Sequence, residues 1–353
     1  MEPEIPLVKK TDPKLCLYKR DDIIMRNINW AVLGTASIAK EETIPAMLLS
    51  RTTNLYAIAG RSKEKVEEFQ STFGFETTYL DYDECLADPL VDAVYIPLPN
   101  HIHKEYIIKA ARAKKHILCE KPLAASAEDV LEIINVCKTE GVHFMEAFAF
   151  LHCPIVDDLI NRVKSGVIGD IRLIETLFYI PSFYLNGDIR GQRETLGGGQ
   201  YDLGCYNIAL ILKLMDKMPI DIDALGKFTE AGIDRYCHSL LEFDDGTIAT
   251  SSSGMILERT ENYRMDECYI KGEKGQIEMK FPYNASGLLS YDIIKAGKTQ
   301  TIEMRVPNNY FLEIEQFNRC ILGEETPLVS NEFSYKVAQV QDKILEKIGY
   351  WQK

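Results

Sequence analysis

The feature that most constrains the fold is a regular alternation of two patterns that starts at Asn29 and ends near Phe150. Short runs rich in β-branched residues alternate with longer segments in which apolar residues recur three and four positions apart. Such an order is typical of βαβ units, so it predicts an α/β domain with a doubly wound parallel sheet of the Rossmann type. The predicted strands are 29–33, 55–59, 77–80, 93–96, 116–119 and 143–146, and the predicted helices are 38–50, 63–73, 102–113 and 127–140.

The pattern changes after Pro154. Alternating strands separated by turn pairs such as Asp245-Gly246 and Lys274-Gly275 favour an α+β domain with a large, mainly antiparallel open sheet. The predicted helices here are 155–165, 201–214, 311–322 and 332–348, and the predicted strands include 171–179, 238–243, 247–252 and 268–271. We therefore expect an N-terminal arm or leader (1–27), a dinucleotide-binding domain (28–150) and a domain for substrate binding and dimerisation (151–353), whose closing helices could pack back on the first domain.

Length and composition agree with two folded domains and exclude several classes of protein. A chain of 353 residues exceeds what one hydrophobic core usually supports. The formal net charge of -13 argues against nucleic acid as a partner, because phosphate-backbone binders need clustered lysines and arginines. We expect no membrane span, and the nine scattered cysteines lack a C-x-x-C pair, which favours a reducing cytoplasm. None of the six histidines has a recognised metal-ligand spacing, so no metal is expected.

The first predicted strand runs directly into Gly34-Thr35-Ala36-Ser37-Ile38-Ala39. This segment has the place and spacing of a dinucleotide fingerprint but keeps only the first of its glycines. Gly34 can make the tight turn, Ala36 is small enough for a pyrophosphate to approach the backbone, and Ala39 lets helix and strand pack closely. Residues 34–38 are therefore candidate cofactor contacts. Taken alone, the segment could also be an ordinary strand-to-helix turn.

The second predicted strand ends in Gly60-Arg61-Ser62, where many NAD-binding domains carry an acidic residue that holds a ribose hydroxyl. Arg61 can pair bidentately with a 2'-phosphate and Ser62 can add a hydroxyl donor, which favours NADP(H) over NAD(H). Ser62 could also simply cap the next helix, with Arg61 a solvated charge.

Two further loops follow predicted strands at the edge of the sheet where ligands bind in open α/β folds. The fourth strand leads into Pro97-Leu98-Pro99-Asn100-His101-Ile102-His103, and the fifth leads into Cys119-Glu120-Lys121-Pro122. The candidate cofactor contacts in these loops are Pro97, Leu98, Asn100, His103, Glu120 and Lys121. Asn100 could instead cap the next helix, and His103 could be a packed first-turn histidine. Lys121 has a defined direction at a strand end and can donate to a substrate oxygen.

A glycine cluster joins a predicted helix in Gly197-Gly198-Gly199-Gln200-Tyr201-Asp202-Leu203-Gly204-Cys205-Tyr206. Asp202 and Tyr206 are four residues apart and therefore on one helical face. A carboxylate and a phenol beside a lysine form a plausible set for moving protons. Without that context, Asp202 could be a first-turn anion and Tyr206 a core aromatic residue.

Taken in this order, the motifs G-x-A-x-x-A, P-x-P-N-x-x-H, E-K-P and G-G-G-x-x-D-x-G-x-Y resemble those of the glucose-fructose oxidoreductase and inositol dehydrogenase family. The resemblance extends from about Asn29 to the C-terminus. It implies that Lys121, Asp202 and Tyr206 form the catalytic set and that the protein is a homodimer or a dimer of dimers. Tyrosine at position 206, in place of histidine, is similar to the glucose-fructose oxidoreductase and dihydrodiol dehydrogenase branch. The E-K-P match also predicts a cis peptide bond between Lys121 and Pro122.

One segment departs from the pattern of that branch. After Met145-Glu146-Ala147-Phe148, many members carry an arginine and then His-Pro, whereas this chain continues Ala149-Phe150-Leu151-His152-Cys153-Pro154. The Phe-Leu-His stretch and Asp188-Ile189-Arg190 also resemble nucleotide-linked deoxysugar ketoreductases of the family. Arg190 and Arg193 could then bind an anionic substrate, or they could be solvated loop residues. Tyr179 is a further candidate substrate contact.

These observations predict an NAD(P)-dependent dehydrogenase or reductase that transfers a hydride between nicotinamide and a carbinol or keto carbon of a sugar, polyol or related cyclic substrate. NADP(H) is expected as the preferred cofactor, with NAD(H) possible. We expect Tyr206 to exchange the hydroxyl proton, Lys121 to lower the phenol pKa or polarise the carbonyl, and Asp202 to hold the substrate hydroxyl and Lys121. The alternatives are a nucleotide-linked deoxysugar ketoreductase, an oxidoreductase that retains its cofactor between two sugars, and a non-catalytic dinucleotide-binding sensor or regulator.

Overall fold

A six-stranded parallel sheet organises the first half of the chain, with the strand order β3-β2-β1-β4-β5-β6. The computed structural model describes residues 27–258, 264–284 and 286–352, so nearly all of the predicted arm, 1–27, lies outside the described residues. Side chains of β1 alternate between two hydrophobic cores, because Trp30 and Val32 face one core while Ala31 and Leu33 face the other. Helices therefore cover both faces, as predicted. The strands are β1 (Ile28–Leu33), β2 (Thr53–Ala59), β3 (Thr77–Tyr79), β4 (Ala93–Ile96), β5 (His116–Glu120) and β6 (Phe144–Ala147).

The helices of this half follow the predicted positions, with two differences. They are α1 (Ile44–Met47), α2 (Lys63–Phe73), α3 (Tyr82–Ala87), α4 (His103–Arg112) and α5 (Ala127–Glu140). The predicted helix 38–50 is instead a π-helical turn, Ala39–Thr43, followed by the short α1. Pro45, which has no backbone N–H to donate, lies at the start of α1 and interrupts the regular ladder. The six-residue α3 was not predicted, because it is too short to show a helical period.

An eight-stranded sheet organises the second half, with the order β14-β13-β12-β11-β7-β10-β9-β8. The pair β7 and β10 is parallel and every other neighbouring pair is antiparallel, which agrees with the predicted mainly antiparallel sheet. Its strands are β7 (Ile171–Pro181), β8 (Asp221–Phe228), β9 (Asp234–Glu242), β10 (Ile248–Leu257), β11 (Met265–Gly272), β12 (Gly275–Lys280), β13 (Gly287–Lys295) and β14 (Lys298–Val306). The helices are α6 (Pro154–Lys164), α7 (Cys205–Met215), α8 (Asn309–Ile321) and α9 (Asn331–Lys347).

The two faces of the large sheet differ. In β7, Ile174, Thr176 and Phe178 are buried, whereas the alternate residues Glu175 and Leu177 are exposed and half-buried. The helices α6 and α7 contact the sheet, so the buried set faces them. The opposite face carries a mixture of half-buried apolar and polar side chains.

The helices α8 and α9 join the two halves. Asn318 of α8 accepts a hydrogen bond from the Trp30 indole at 3.0 Å and donates to the hydroxyl of Thr52 at 3.0 Å. Asp342 of α9 accepts from the backbone N–H of Ala127 at the start of α5, at 2.8 Å. Both helices thus pack back against the first domain and leave a cleft between the two sheets.

Candidate active site

The cleft lies at the carboxyl ends of β1, β2, β4 and β5, which is the ligand-binding edge of an open α/β sheet. Its volume is about 560 Å³ and the glycine-rich segment of the second half forms its opposite wall. The predicted residues that line it are Gly34, Thr35, Ala36, Ser37, Ile38, Arg61, Ser62, Pro97, Leu98, Asn100, Glu120, Lys121, Arg190, Asp202 and Tyr206. The other lining residues were not named as candidate contacts, although four of them belong to the quoted motifs; they are Lys65, Tyr82, Pro99, Asp188, Ile189 and Gly197.

The turn after β1 needs glycine. Gly34 has a φ of +123°, and a Cβ at this position would lie 3.1 Å from Cδ2 of Leu98. Gly34 and Leu98 both line the cleft, and the absence of a side chain at position 34 leaves room for Leu98 beside the backbone of the turn. This is the cradle that a dinucleotide fingerprint requires.

The strand end at β2 supports both readings of Ser62. Its hydroxyl accepts from the backbone N–H of Lys65 at 3.4 Å, so it caps α2, and the residue also lines the cleft. Arg61 lies beside the buried phenol of Tyr82, and its charge partly offsets the rise in the Tyr82 pKa that burial causes. A Cβ at position 60 would lie 2.8 Å from Cγ2 of Val66, so any side chain there would require Val66 to shift.

His103 lies behind the cleft. Its side chain is fully buried, and its two ring nitrogens lie 2.9 Å from the carbonyl of Pro122 and 2.6 Å from that of Leu98. Burial lowers the pKa of His103 to about 4, although both carbonyl oxygens favour the protonated form. His103 therefore joins the two cleft loops from behind and does not reach the cleft surface. Its alternative reading, a packed histidine, describes this position.

Asn100 does line the cleft, but it is not a helix cap. Its amide donates to the carbonyl of Leu196 at 3.0 Å, whereas Ile102 occupies the cap position of α4. This hydrogen bond links the first domain to the loop that precedes the glycine cluster. The partner is 96 residues away, so no local pattern could have indicated it.

A buried chain of hydroxyl groups leads to Glu120. The Thr43 hydroxyl donates to the Tyr95 phenol at 2.9 Å, and the phenol donates to the Glu120 carboxylate at 2.6 Å. Burial raises the pKa of Glu120, and the charge of Lys121 opposes this rise. The Lys121-Pro122 bond that follows is cis, as predicted.

Lys121 and Asp202 meet across the cleft. The Lys121 Nζ lies 3.1 Å from Oδ1 of Asp202 and donates to its backbone carbonyl at 2.9 Å. The side chains are each only 11% exposed, so the ion pair is largely shielded from water. Burial alone lowers the pKa of Lys121, but the Asp202 charge outweighs it and raises that pKa well above its ordinary value. The lysine is therefore a persistent cation.

Tyr206 completes the predicted set. The Lys121 Nζ lies 4.8 Å from the centre of the Tyr206 ring, which also packs against Phe178 at 5.4 Å and Phe150 at 5.6 Å. Burial raises the phenol pKa to about 12 and outweighs the lowering effect of Lys121. Lys121 therefore lowers the phenol pKa as expected, but burial has the larger effect, and the phenol is protonated at neutral pH.

The helical segment that carries Asp202 and Tyr206 begins with a π-helical turn, Gln200–Gly204, and continues into α7. Three glycines precede it because no side chain fits: Cβ atoms at Gly197 and Gly198 would lie 2.4 Å from the Arg190 carbonyl and 1.9 Å from Oδ1 of Asp234. Oδ2 of the fully buried Asp234 accepts from the Gln200 N–H at 2.7 Å. Asp234 of β9 thus shapes the turn, although nothing in the sequence singled it out.

Two predicted substrate contacts lie elsewhere. Tyr179 follows Phe178 in β7 and therefore points to the other face of the large sheet, where it stacks on Tyr236 at 6.2 Å. Arg193 donates to the Tyr350 carbonyl, and its guanidinium lies 5.2 Å from the centre of the Tyr350 ring. Neither lines the cleft.

Family models match both halves of the chain. Residues 28–148 match an oxidoreductase family with an NAD-binding Rossmann fold, Gfo/Idh/MocA, and residues 157–278 match the C-terminal domain of the same family. The chain belongs to the Gfo/Idh/MocA oxidoreductase family. The resemblance read from the motifs is therefore confirmed.

Relatives within the Gfo/Idh/MocA family cover almost the whole chain. D-xylose 1-dehydrogenase (NADP(+)) 2 of Haloferax volcanii is 32% identical over 90% of this chain and 96% of that protein. dTDP-3,4-didehydro-2,6-dideoxy-alpha-D-glucose 3-reductase of Saccharopolyspora spinosa is 29% identical over 90% of this chain and 95% of that protein. The crystal structure of KijD10, a 3-ketoreductase from Actinomadura kijaniata in complex with NADP and TDP-benzene, superposes with a TM-score of 0.84 and 28% identity, and covers 91% of this chain and 98% of that chain.

Three further observations on the described residues concern membrane spans, metal sites and cysteines. No helix among them is long and apolar enough to span a membrane. The described part of the chain contains no group of three or more histidines, cysteines, aspartates or glutamates arranged to hold a metal ion. The cysteines from Cys85 to Cys320 are all free and buried.

Proposed function

We propose that this protein is an oxidoreductase, with NADP(H) preferred over NAD(H), that interconverts a secondary alcohol and a ketone, or a hemiacetal and a lactone, on a sugar or polyol. The observation that carries the proposal is that Lys121, which follows β5, contacts Asp202 and Tyr206 of the opposite wall in the cleft that begins at Gly34. A lysine cation, a carboxylate and a protonated phenol in one shielded place can bind and protonate a carbonyl oxygen.

The first domain fits a dinucleotide. Gly34 lines the cleft without a side chain, and residues 35–38 continue the cleft wall. Arg61, Ser62 and Lys65 line the cleft beside β2, and they supply positive charge and a hydroxyl where a 2'-phosphate would lie. When bound, the nicotinamide ring supplies or accepts the hydride.

The Tyr206 phenol, on the opposite wall of the cleft, supplies the proton. At neutral pH the Tyr206 phenol is protonated, because its pKa is about 12, so it is a donor to a substrate oxygen in the direction of reduction. The Lys121 cation beside the ring stabilises negative charge on that oxygen and on the phenolate that remains. Asp202 keeps Lys121 in place and can accept a substrate hydroxyl.

A second candidate is the reduction of a nucleotide-linked deoxyketosugar. The likeness to KijD10, with a TM-score of 0.84 over 91% of this chain, favours it. The two cations that line the cleft away from β2, Lys121 and Arg190, are already paired with carboxylates. This pairing favours the first candidate, an uncharged substrate. A non-catalytic sensor is disfavoured because the complete Lys-Asp-Tyr set is retained.

A substrate panel tests the proposal. Purified protein is scanned for NADP reduction and NADPH oxidation with free aldoses, inositols, trans-dihydrodiols and nucleotide-linked ketosugars, and Lys121→Ala is the control in each assay. Turnover of a free sugar or polyol that requires Lys121 is expected. Turnover confined to nucleotide-linked sugars would favour the second candidate. Tight NADPH binding without any turnover would favour a sensor.

We also propose a homodimer, or a dimer of dimers, formed through the open face of the large sheet, in the reducing cytoplasm. Leu177, Tyr179, Tyr236, His238 and Leu240 give this face a half-buried, partly apolar surface that a second copy could cover. Light scattering at micromolar concentration is expected to give at least twice the mass of the monomer, and Leu240→Asp is expected to lower it. A monomeric wild type would contradict the dimer.

A further inference from the structure

Arg190 contacts the oxygen of Asp202 that Lys121 does not use. Its Nε donates to Oδ2 of Asp202 at 2.7 Å, while Lys121 lies 3.1 Å from Oδ1. A cation on each oxygen fixes the plane of the carboxylate as well as its position. Arg190 is 12 residues before Asp202 in the chain and reaches it from a different loop.

Arg190 is itself held in place from several sides. Asp188 accepts from the Arg190 backbone N–H at 3.0 Å and from its Nη1 at 3.1 Å. The Arg190 carbonyl accepts from the N–H of Gly198 at 2.9 Å, so the same residue also closes the glycine turn. The guanidinium lies 5.3 Å from the centre of the Tyr184 ring. These contacts hold the Arg190 guanidinium in position beside Asp202.

The charge of Arg190 is needed because Asp202 is buried. Burial alone would raise the pKa of Asp202, but the charges of Arg190 and Lys121 hold it well below its ordinary value. The other titratable groups near this carboxylate are Glu120 at the end of β5 and Cys205 and Tyr206 of α7. None of these three carries positive charge, so the loss of Arg190 would leave Lys121 as the single cation described next to Asp202.

We infer that Arg190 is a positioning residue, which keeps Asp202 ionised and oriented toward Lys121, and that it does not bind an anionic substrate group. The inference rests on the proposed function for its effect on turnover, whereas the contact with Asp202 can be tested without a substrate. It replaces the expectation that Arg190 binds an anion, since its Nε and Nη1 are already engaged by carboxylates.

The first test is a double-mutant cycle in urea unfolding, measured from pH 4 to pH 8, with Arg190→Gln, Asp202→Asn and the double variant. A charge-assisted hydrogen bond predicts that Arg190→Gln raises the unfolding equilibrium constant by roughly ten- to a hundredfold in wild type and by much less in the Asp202→Asn background. Without Arg190 the folded-state pKa of Asp202 rises toward its unfolded value, so Arg190→Gln should lose less stability than wild type as the pH falls toward 4. Arg193→Gln, the matched control from the same loop, should show no coupling to Asp202→Asn.

The second test measures turnover with the substrate that the panel identifies. Arg190→Gln should lower kcat by roughly ten- to a hundredfold with a small change in KM, and its acidic limb should move to higher pH. Arg190→Lys should restore much of kcat, because it can still donate one hydrogen bond to Oδ2. If Arg190→Gln does not fold, the comparison of Arg190→Lys with wild type still tests the inference.

Two results would overturn the inference: equal losses of stability in both backgrounds, which means no coupling in the cycle, or a rise in KM with unchanged kcat. A wild-type protein that binds NADPH but turns over no member of the panel would refute the proposed function instead. In that case the unfolding cycle would still decide whether Arg190 acts on Asp202.

Discussion

Replacing Tyr206 by phenylalanine removes the hydroxyl group and keeps the ring, so it separates proton transfer from packing. The ring packs against Phe148 at 6.0 Å, Phe150 at 5.6 Å, Phe178 at 5.4 Å and Tyr283 at 5.2 Å, and phenylalanine keeps all of these contacts. The cation of Lys121 at 4.8 Å from the ring centre is also retained. The variant should therefore fold and bind NADPH as wild type does.

Turnover should fall sharply, because the phenol is the donor to the substrate oxygen. General acid-base assistance is typically worth about 10²–10⁴ in rate, which corresponds to roughly 3–5 kcal/mol of activation barrier. The loss should appear in kcat as well as in kcat/KM, as expected for an interaction made in the transition state. The assay is oxidation of NADPH with a keto-sugar, followed by absorbance, with NADPH binding measured separately by fluorescence titration.

Tyr283→Phe is the matched control, since this tyrosine belongs to the same aromatic cluster but donates to Asn207 at 2.7 Å, away from Lys121. It should lose about 1 kcal/mol of stability and keep its turnover. Lys121→Ala should be at least as damaging to kcat as Tyr206→Phe. If Tyr206→Phe loses less than about tenfold in kcat while Lys121→Ala is inactive, the lysine moves the proton and the role assigned to Tyr206 is wrong.

Three further predictions concern the cofactor, the glycine turn and a buried carboxyl group. Arg61→Ala should weaken NADPH binding by roughly ten- to a hundredfold and leave NADH binding nearly unchanged in a titration; equal losses for both would show that Arg61 does not contact the 2'-phosphate. Gly198→Ala places a Cβ 1.9 Å from Oδ1 of Asp234 at a φ of +114°. Gly187→Ala is the control, because its φ is +77° and nothing lies within 4 Å of the added Cβ. Urea unfolding should show a larger loss of stability for Gly198→Ala, and equal losses would contradict this account of the turn. Burial raises the pKa of Glu146 to about 7, so its neutral form is favoured in the folded state, and this group should lower the stability by at most about 1.4 kcal/mol per pH unit as pH rises from about 4.5 to 7. The buried Asp234, whose pKa is also raised to about 7, contributes a slope of the same sign. Glu146→Gln should therefore make the slope of stability against pH less steep than in wild type, and an unchanged slope would count against a raised Glu146 pKa.

The first domain could be predicted largely from the sequence, because its signals are local. The helices α2 and α5 begin and end at the predicted residues, since Ser62 and Ser126 cap their first turns and Gly74 and Gly141 adopt the left-handed conformation after their last turns. The six strands lie within one or two residues of their predicted bounds. The cleft residues that follow β1, β4 and β5 could be found for the same reason, because the carboxyl ends of parallel strands share one edge.

The tertiary structure decided how those residues act. His103 and Asn100 belong to one motif, yet only Asn100 lines the cleft, because the backbone path between β4 and α4 turns the His103 ring inward. Tyr179 and Arg193 carry groups that could bind a substrate, but they contact Tyr236 and Tyr350 instead. These outcomes depend on contacts between residues far apart in the chain, which no local pattern contains.

Ionisation was also decided by tertiary structure. The family resemblance indicated Lys121, Asp202 and Tyr206 as a set, and Lys121 was expected to lower the phenol pKa or to polarise the carbonyl. The fold adds burial, which raises the Tyr206 pKa to about 12, and it adds Arg190, which with Lys121 holds the Asp202 pKa down. The physical reason is that a pKa depends on desolvation and on every nearby charge, and both are properties of the packed chain.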